Sequence, residues 1–332
     1  MVMDSIKKIF IFLSVIGLSM GCQDEGSYYQ DSGAELLEEQ QAIIEQYLTE
    51  NNIATQQNEL GMHYRVLTEN TRGASPQPNQ VVTLYYQIEQ LEGGIIDVRE
   101  EGAGHDPLAY TFNFNSDLNP GVRHLLVPVG LDFMVGTMRE REEYEFYLPS
   151  GYAYLDYALE DVVPARALIR AKLRIEGVFT ADEYRLEEDA KLKEYLADQQ
   201  LEEADSLPLG VYYVQTKAGD GQEIASGSSV EVRYTGSLLD GTVFDTNVGN
   251  GNDLLEFELT PGNVIAGFFL AVQRMSVGEK GTVVIPSHAA YGQGLVAIPY
   301  SYINELTSEN AIARRIPPYA PLRFDIEVVN VK

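Results

Sequence analysis

The chain has 332 residues, 45% hydrophobic and 22% charged, the balance of a globular protein with room for two ordinary domains and not of a disordered one. Its 23 basic and 50 acidic residues leave a formal charge of −27, a field that repels polyanions and excludes nucleic acid as a partner. A single cysteine, Cys22, rules out an intramolecular disulfide, and four histidines (His63, His105, His124, His288) without ligand spacing point to no metal and no cofactor.

Residues 1–22 read as a targeting segment. Lys7 and Lys8 precede an apolar run over 9–20 that ends at Gly21-Cys22 and is too short to span a bilayer. A lone Cys after a small residue at this place resembles a bacterial lipoprotein box, although Leu18 stands one position further from the Cys than is usual. That resemblance implies lipidation of Cys22 and stable membrane attachment through several acyl chains. Gln23-Asp24-Glu25 resembles the acidic surface-export signals of Bacteroidota lipoproteins, and a solvated tether over 23–33 explains the same residues. The expected location is the cell envelope, as an outer membrane lipoprotein on its periplasmic face or at the cell surface.

Helical spacing follows. Leu36, Leu37, Ile43, Ile44, Tyr47 and Leu48 predict a helix over 35–52, and Leu186, Leu192, Tyr195, Leu196 and Leu201 predict another over 182–204. The two are related, since Tyr47-Leu48-Thr49-Glu50 parallels Tyr195-Leu196-Ala197-Asp198. Their apolar stripes fit docking on their own domain, and equally dimerisation. First strands follow each helix, at Leu60-Gly61-Met62-His63-Tyr64 and Leu209-Gly210-Val211-Tyr212-Tyr213.

The likeness runs on to the end of each half. Gly130 to Pro149 and Gly267 to Pro286 enclose matching blocks of equal length, continued by Ser150 and Tyr154 in one and Ser287 and Tyr291 in the other. Final strands are predicted over 167–178 and 322–331. Such matched spacing marks an internal duplication. Turn pairs such as Asp240-Gly241 and Glu92-Gly93-Gly94 predict antiparallel meander connections rather than βαβ crossovers. The fold class is α+β: two tandem units, each a bent antiparallel sheet around a short helix, preceded by an extra helix. The units span 34–180 and 181–332.

The second unit resembles the FKBP-type peptidyl-prolyl cis-trans isomerases. The resemblance rests on six blocks in family order: Val232-Arg233-Tyr234-Thr235-Gly236, Asp240-Gly241-Thr242-Val243-Phe244-Asp245, Val264-Ile265-Ala266-Gly267-Phe268, Met275-Ser276-Val277-Gly278-Glu279, Tyr291-Gly292 and Ile316-Pro317-Pro318. It implies a prolyl pocket whose catalytic lining is Tyr234, Phe244, Asp245, Phe268, Tyr291 and Phe324, with Leu255, Phe257, Val264, Ile265 and Ile316 holding substrate. Phe268 stands at the floor, where the best-known members carry Trp, and Leu255 where a pocket aromatic is usual. The implied partners are proline-containing polypeptide segments. Asp245 is expected to accept from Tyr234, while the Tyr291 hydroxyl and the Ile265 N–H face the peptide. Aromatics on strands are more often plain core; an aspartate directly after a pocket phenylalanine must find a partner if buried, which suits a site better.

In the first unit the same alignment gives Tyr85, Ile96, Asp97, Leu131, Tyr154, Val163 and Ala171, so three rings are lost. A Gly-Gly insertion at 93–94 is expected to shift the register before Asp97. This copy reads as degenerate, a fold kept without efficient catalysis. Between Tyr291 and Ile316 lies an insert near 293–313, longer than the family usually carries, which suits either contact with substrate or partner or a tolerated surface insertion. Two functions follow. One is a membrane-anchored prolyl isomerase and folding factor for exported or outer-membrane proteins. The other, from a different class, is a non-catalytic accessory or scaffold subunit of an outer-membrane protein complex.

Overall fold

The computed structural model describes residues 25–102, 106–112, 130–154, 163–201, 203–219, 221–249, 253–292 and 316–332, with side chains from 34 onward. The targeting segment 1–22 with Cys22, and the insert near 293–313, lie outside them. In chain order the first unit comprises α1 (Glu25–Glu50), β1 (Gln56–Gln57), β2 (His63–Thr68), β3 (Val81–Gln90), β4 (Ile95–Arg99), β5 (Leu108–Thr111), α2 (Leu131–Thr137), β6 (Glu143–Leu148) and β7 (Ile169–Phe179). The second repeats the plan with α3 (Ala181–Asp198), β8 (Asp205–Leu207), β9 (Val211–Lys217), β10 (Ser229–Leu238), β11 (Val243–Thr246), β12 (Leu255–Glu258), α4 (Ala266–Arg274), β13 (Lys280–Ile285) and β14 (Leu322–Val331). No helix among the described residues is long and apolar enough to cross a membrane.

Both sheets are antiparallel and share one strand order. The first runs β1-β2-β6-β7-β3-β4 with β5 also on β3, and the second β8-β9-β13-β14-β10-β11 with β12 on β10. The Asp240-Gly241 turn closes the β10–β11 hairpin, with Gly241 at φ 90 and Leu238 N–H donating to Thr242 O at 2.9 Å. The 92–94 turn closes the β3–β4 hairpin in the same way, but neither sheet as a whole is a meander. Strand β10 lies beside β14 and β9 beside β13, so long connections cross between antiparallel neighbours. Turn residues report hairpins and carry no information on which distant strands pair.

Each sheet wraps a short helix. In the second unit α4 turns Phe268, Ala271 and Val272 into the core beside Val283 and Ile285. Gly267 lets the helix approach this closely, because a Cβ there would stand 2.3 Å from Ile285 Cγ2. In the first unit Leu131, Met134 and Val135 of α2 face Phe146 and Leu148 in the same way.

The long helices cover the opposite faces of their own sheets. Ile44 and Leu48 of α1 pack with Tyr147 and Leu91, and Leu192 and Leu196 of α3 pack with Val284, Tyr212 and Leu239. Their stripes are therefore used within each unit. Each helix ends in a Schellman motif: Ile53 N–H reaches Leu48 O at 2.9 Å and Leu201 N–H reaches Leu196 O at 2.7 Å, across Asn52 (φ 54) and Gln200 (φ 58). That motif stops α3 at Asp198, short of the predicted 204. At the other end α1 begins at Glu25, inside the segment read as a tether, which contains no proline to break it. A capping box of Thr180 and Glu183 starts α3 directly after β7.

The two helices also fasten the same turn. Gln40 Oε1 accepts from Ser150 N–H at 2.9 Å and Ser150 Oγ at 3.0 Å, and the Glu188 carboxylate accepts from Ser287 N–H at 3.1 and 3.2 Å. Ser150 and Ser287 open single 3-10 turns that lead to Tyr154 and Tyr291.

Candidate functional site

In the second unit, strand alternation aims Tyr234 of β10, Phe244 of β11, Phe257 of β12 and Phe324 of β14 at α4, where Phe268 meets them. Phe268 stands edge-on to Phe324 at 5.2 Å between centroids, to Phe257 at 6.0 Å and to Tyr234 at 6.1 Å. Phe244 stands edge-on to Phe324 at 5.6 Å. These are the favoured arrangements for ring quadrupoles. Tyr234, Phe268, Phe324 and Ile316 are buried, while Phe244, Leu255, Phe257, Val264, Ile265 and Tyr291 are half-buried against the same cluster. All the lining residues expected from the sequence are thus gathered at one place, with the half-buried ones forming an accessible apolar rim.

A small polar frame holds this wall. Tyr234 Oη donates to Asp245 Oδ2 at 2.5 Å, the pairing expected from the sequence. Asn247, which the sequence reading passed over, adds a clamp: its Oδ1 accepts from Tyr234 N–H at 2.8 Å and its Nδ2 donates to Val232 O at 3.0 Å. An Asn at a strand end is apt for such bonds to backbone, and that was the available signal. Gly236 ends the first family block but is not among the lining residues expected from the sequence. It faces Phe324 across the ladder, and a Cβ on it would lie 2.7 Å from both Phe244 Cζ and Phe324 Cε1. Among the described residues no group of three or more His, Cys, Asp or Glu side chains is gathered to hold a metal ion.

The first unit carries an altered copy. Tyr86, not Tyr85, stands where Tyr234 stands: Tyr86 Oη donates to Asp97 Oδ2 at 2.7 Å, eleven residues on, the separation found for Tyr234 and Asp245. Tyr85 points to the other face, under the Arg174 guanidinium at 5.1 Å. Nor is there an insertion at 93–94, since Gln90 N–H donates to Gly94 O as Leu238 N–H does to Thr242 O. The doubled tyrosine and doubled glycine invite a slip of one residue, and in a strand one residue changes the face.

The ladder sets Ile88 opposite Ala171 and Asp97, as it sets Gly236 opposite Phe324 and Asp245. Ile88, Ile96, Leu131 and Ala171 form one fully buried core, so aliphatic side chains occupy the places of the rings Phe244, Phe268 and Phe324. One ring survives unforeseen: Tyr110 of β5 faces Val82 as Phe257 faces Val230. The polar groups here are deeply enclosed. Asp97 is 2% exposed, the Tyr154 hydroxyl is buried with no hydrogen-bond partner among the described residues, and burial pushes the Asp132 carboxyl up to about 6. Burial and the neighbouring Asp97 raise Tyr86 well above the usual phenol range.

A family model described as FKBP-type peptidyl-prolyl cis-trans isomerase matches residues 221–329. The chain is 43% identical over 107 residues to the peptidyl-prolyl cis-trans isomerase FPR2 of Saccharomyces cerevisiae, covering 32% of this chain and 67% of that protein. It is 32% identical over 134 residues to FK506-binding protein 2 of Dictyostelium discoideum, covering 39% of this chain and 82% of that protein. Of two further relatives it spans 57% and 54%. Among solved structures, that of the three FKBP domains of wheat FKBP73 is similar at 20% identity and a TM-score of 0.32, covering 82% of this chain and 96% of that one. On the family match over 221–329 and the two relatives covered to two thirds or more, the chain belongs to the FKBP-type peptidyl-prolyl cis-trans isomerases.

Proposed function

We propose that the ring cluster of the second unit is the prolyl pocket of this isomerase, that its clients are proline-containing segments of exported or outer-membrane proteins, and that Cys22 carries a lipid anchor. The single observation supporting the pocket is the convergence of Tyr234, Phe244, Phe257, Phe268 and Phe324 from four strands and one helix, with a half-buried rim.

Rotation about an X–Pro bond is slow because it breaks amide resonance, a barrier of roughly 18–20 kcal/mol. The twisted amide has lost conjugation and much of its charge separation. An apolar surface therefore favours it over the planar ground state, and a preference of that kind accelerates the step. No nucleophile, metal or proton transfer is required. Asp245 fixes the Tyr234 ring that walls the pocket, and Phe268 supplies the floor with a smaller ring than Trp. The Tyr291 hydroxyl and the Ile265 N–H, which precedes α4, orient the substrate backbone. The first unit, its ring positions filled by Ile96, Leu131 and Ala171, serves as a docking module without turnover.

The test is the cis-to-trans rate of a prolyl peptide with the full chain. Phe324→Ala is expected to lower kcat/KM about ten- to hundredfold, in line with the loss of a packed ring. Tyr291→Phe is expected to lower it about two- to tenfold, the value of one hydrogen bond. A folded wild-type chain with no rate above background would overturn the catalytic reading and leave the accessory-subunit reading in its place.

A further inference from the structure

The loop that brings Ile316 into the ring cluster continues through Pro317 and Pro318 to Tyr319. Tyr319 has φ 56, the left-handed region that L side chains avoid at a cost of roughly 1–2 kcal/mol. A bulky aromatic in that conformation is kept there by what it touches, and Tyr319 touches three separate parts of the molecule.

Its N–H donates to Gly292 O at 2.8 Å, directly beside Tyr291. Its hydroxyl shares a hydrogen bond of 2.6 Å with Thr111 Oγ1, on β5 of the first unit. Its ring meets Tyr184 of α3 edge-on at 5.1 Å, and Tyr184 in turn meets Phe179, the last residue of β7, at 6.0 Å. One residue therefore joins the pocket rim through its backbone N–H, and the other unit and the helix between them through its side chain. Ile316, three residues upstream, is 1% exposed and packed in the ring cluster, so any shift of the loop moves the pocket wall.

We propose that the first unit sets the shape of the prolyl pocket through Tyr319, a positioning residue whose bond to Thr111 braces the loop carrying Ile316. This rests on the reading of the ring cluster as the prolyl pocket. It assigns the degenerate copy a task that needs no pocket of its own. A brace of this kind acts on substrate fit, so its loss appears in KM more than in kcat.

The experiment compares the full chain with Thr111→Val, Tyr319→Phe and the double variant. Thr111→Val is close in volume, lies in the other unit and exchanges the hydroxyl for a methyl group. Two measurements are made, the 13C-methyl resonance of Ile316 and the separate kcat and KM for a prolyl peptide. Each single variant is expected to move the Ile316 resonance and raise KM about two- to tenfold with kcat nearly unchanged, the range expected for one hydrogen bond. The double variant is expected to be no worse than either single one, because both remove the same bond. If both single variants leave the Ile316 resonance and KM as in the wild type, the brace is refuted. Effects of the two substitutions that simply add would refute it as well. If the wild-type chain shows no isomerisation, the prolyl-pocket reading fails while the Ile316 resonance alone still decides the brace.

Discussion

Gly236 on β10 and Ile88 on β3 occupy equivalent ladder positions, and the side chain present at one and absent at the other divides the two sites. With no Cβ, Gly236 leaves the space into which Phe244 and Phe324 turn their ring edges. With Ile88, Ile96 and Ala171 the same space is closed by aliphatic carbon. Gly236→Ala is therefore expected to cost about 1–3 kcal/mol, as overpacking of a filled site does, and to lower kcat/KM together with stability. The denaturation midpoint and the prolyl-peptide assay check it; a variant with both values unchanged would show that the rings have room to yield. Tyr234, Phe244, Phe268 and Tyr291 were legible in the sequence because each lies in a family block, and Phe257 and Phe324 followed from the resemblance those blocks carry. Gly236 was not, since a glycine in a strand reads as a bulge or a weak point until the atoms around it are known. The face of Tyr86 was hidden for a related reason. Two adjacent tyrosines carry the same chemistry, and only the ladder tells which one points inward.

Among the elements, α1 and α3 dock alike and differ in one atom group. Gln40 and Glu188 hold equivalent Ser N–H groups, but the carboxyl of Glu188 is 4% exposed and burial pushes it up to about 7, opposed by its bonds to Ser287 and by the charge of Lys191. The facing group across the turn is His288, whose Nδ1 lies 3.9 Å from Glu188 Oε2 and whose own pKa is lowered, chiefly by burial. Because the folded carboxyl binds its proton more tightly than the unfolded one at 4.5, the folded state holds the extra proton between about 4.5 and about 7. Stability contributed by α3 docking therefore falls as pH rises through that window and is level on either side. Glu188→Gln, which copies Gln40, is expected to gain about 1–3 kcal/mol at pH 8 and almost nothing at pH 4. Urea midpoints of the full chain at both pH values check this, and an equal gain at both would contradict the titration. The existence of both helices was evident from their periodicity. Their ends were less so, because a Schellman turn at Gln200 needs no glycine, and the apolar spacing runs past it to Leu201.

At the scale of the whole molecule, the duplication was plain in the sequence because each block recurs at matched spacing. The strand order was not, since neighbours such as β9 and β13 are joined by no short turn. The proposed membrane attachment belongs to this scale too. Cys22→Ser is expected to move the protein from the membrane pellet to the soluble fraction, and a wild-type protein found free of membranes would remove the anchor. The junction between the units has a further consequence. Strand β7 ends at Phe179 and α3 begins at Ala181, so Thr180 alone separates them, and its side chain is taken up in the capping box. A flexible linker would let one unit search the volume around the other, at an effective concentration set by linker length. Here there is no slack to search with. On the proposed reading of the first unit as a docking module, a client segment held there would meet the second at one fixed distance and angle, and the pair would select among clients by the spacing between their docking and prolyl segments.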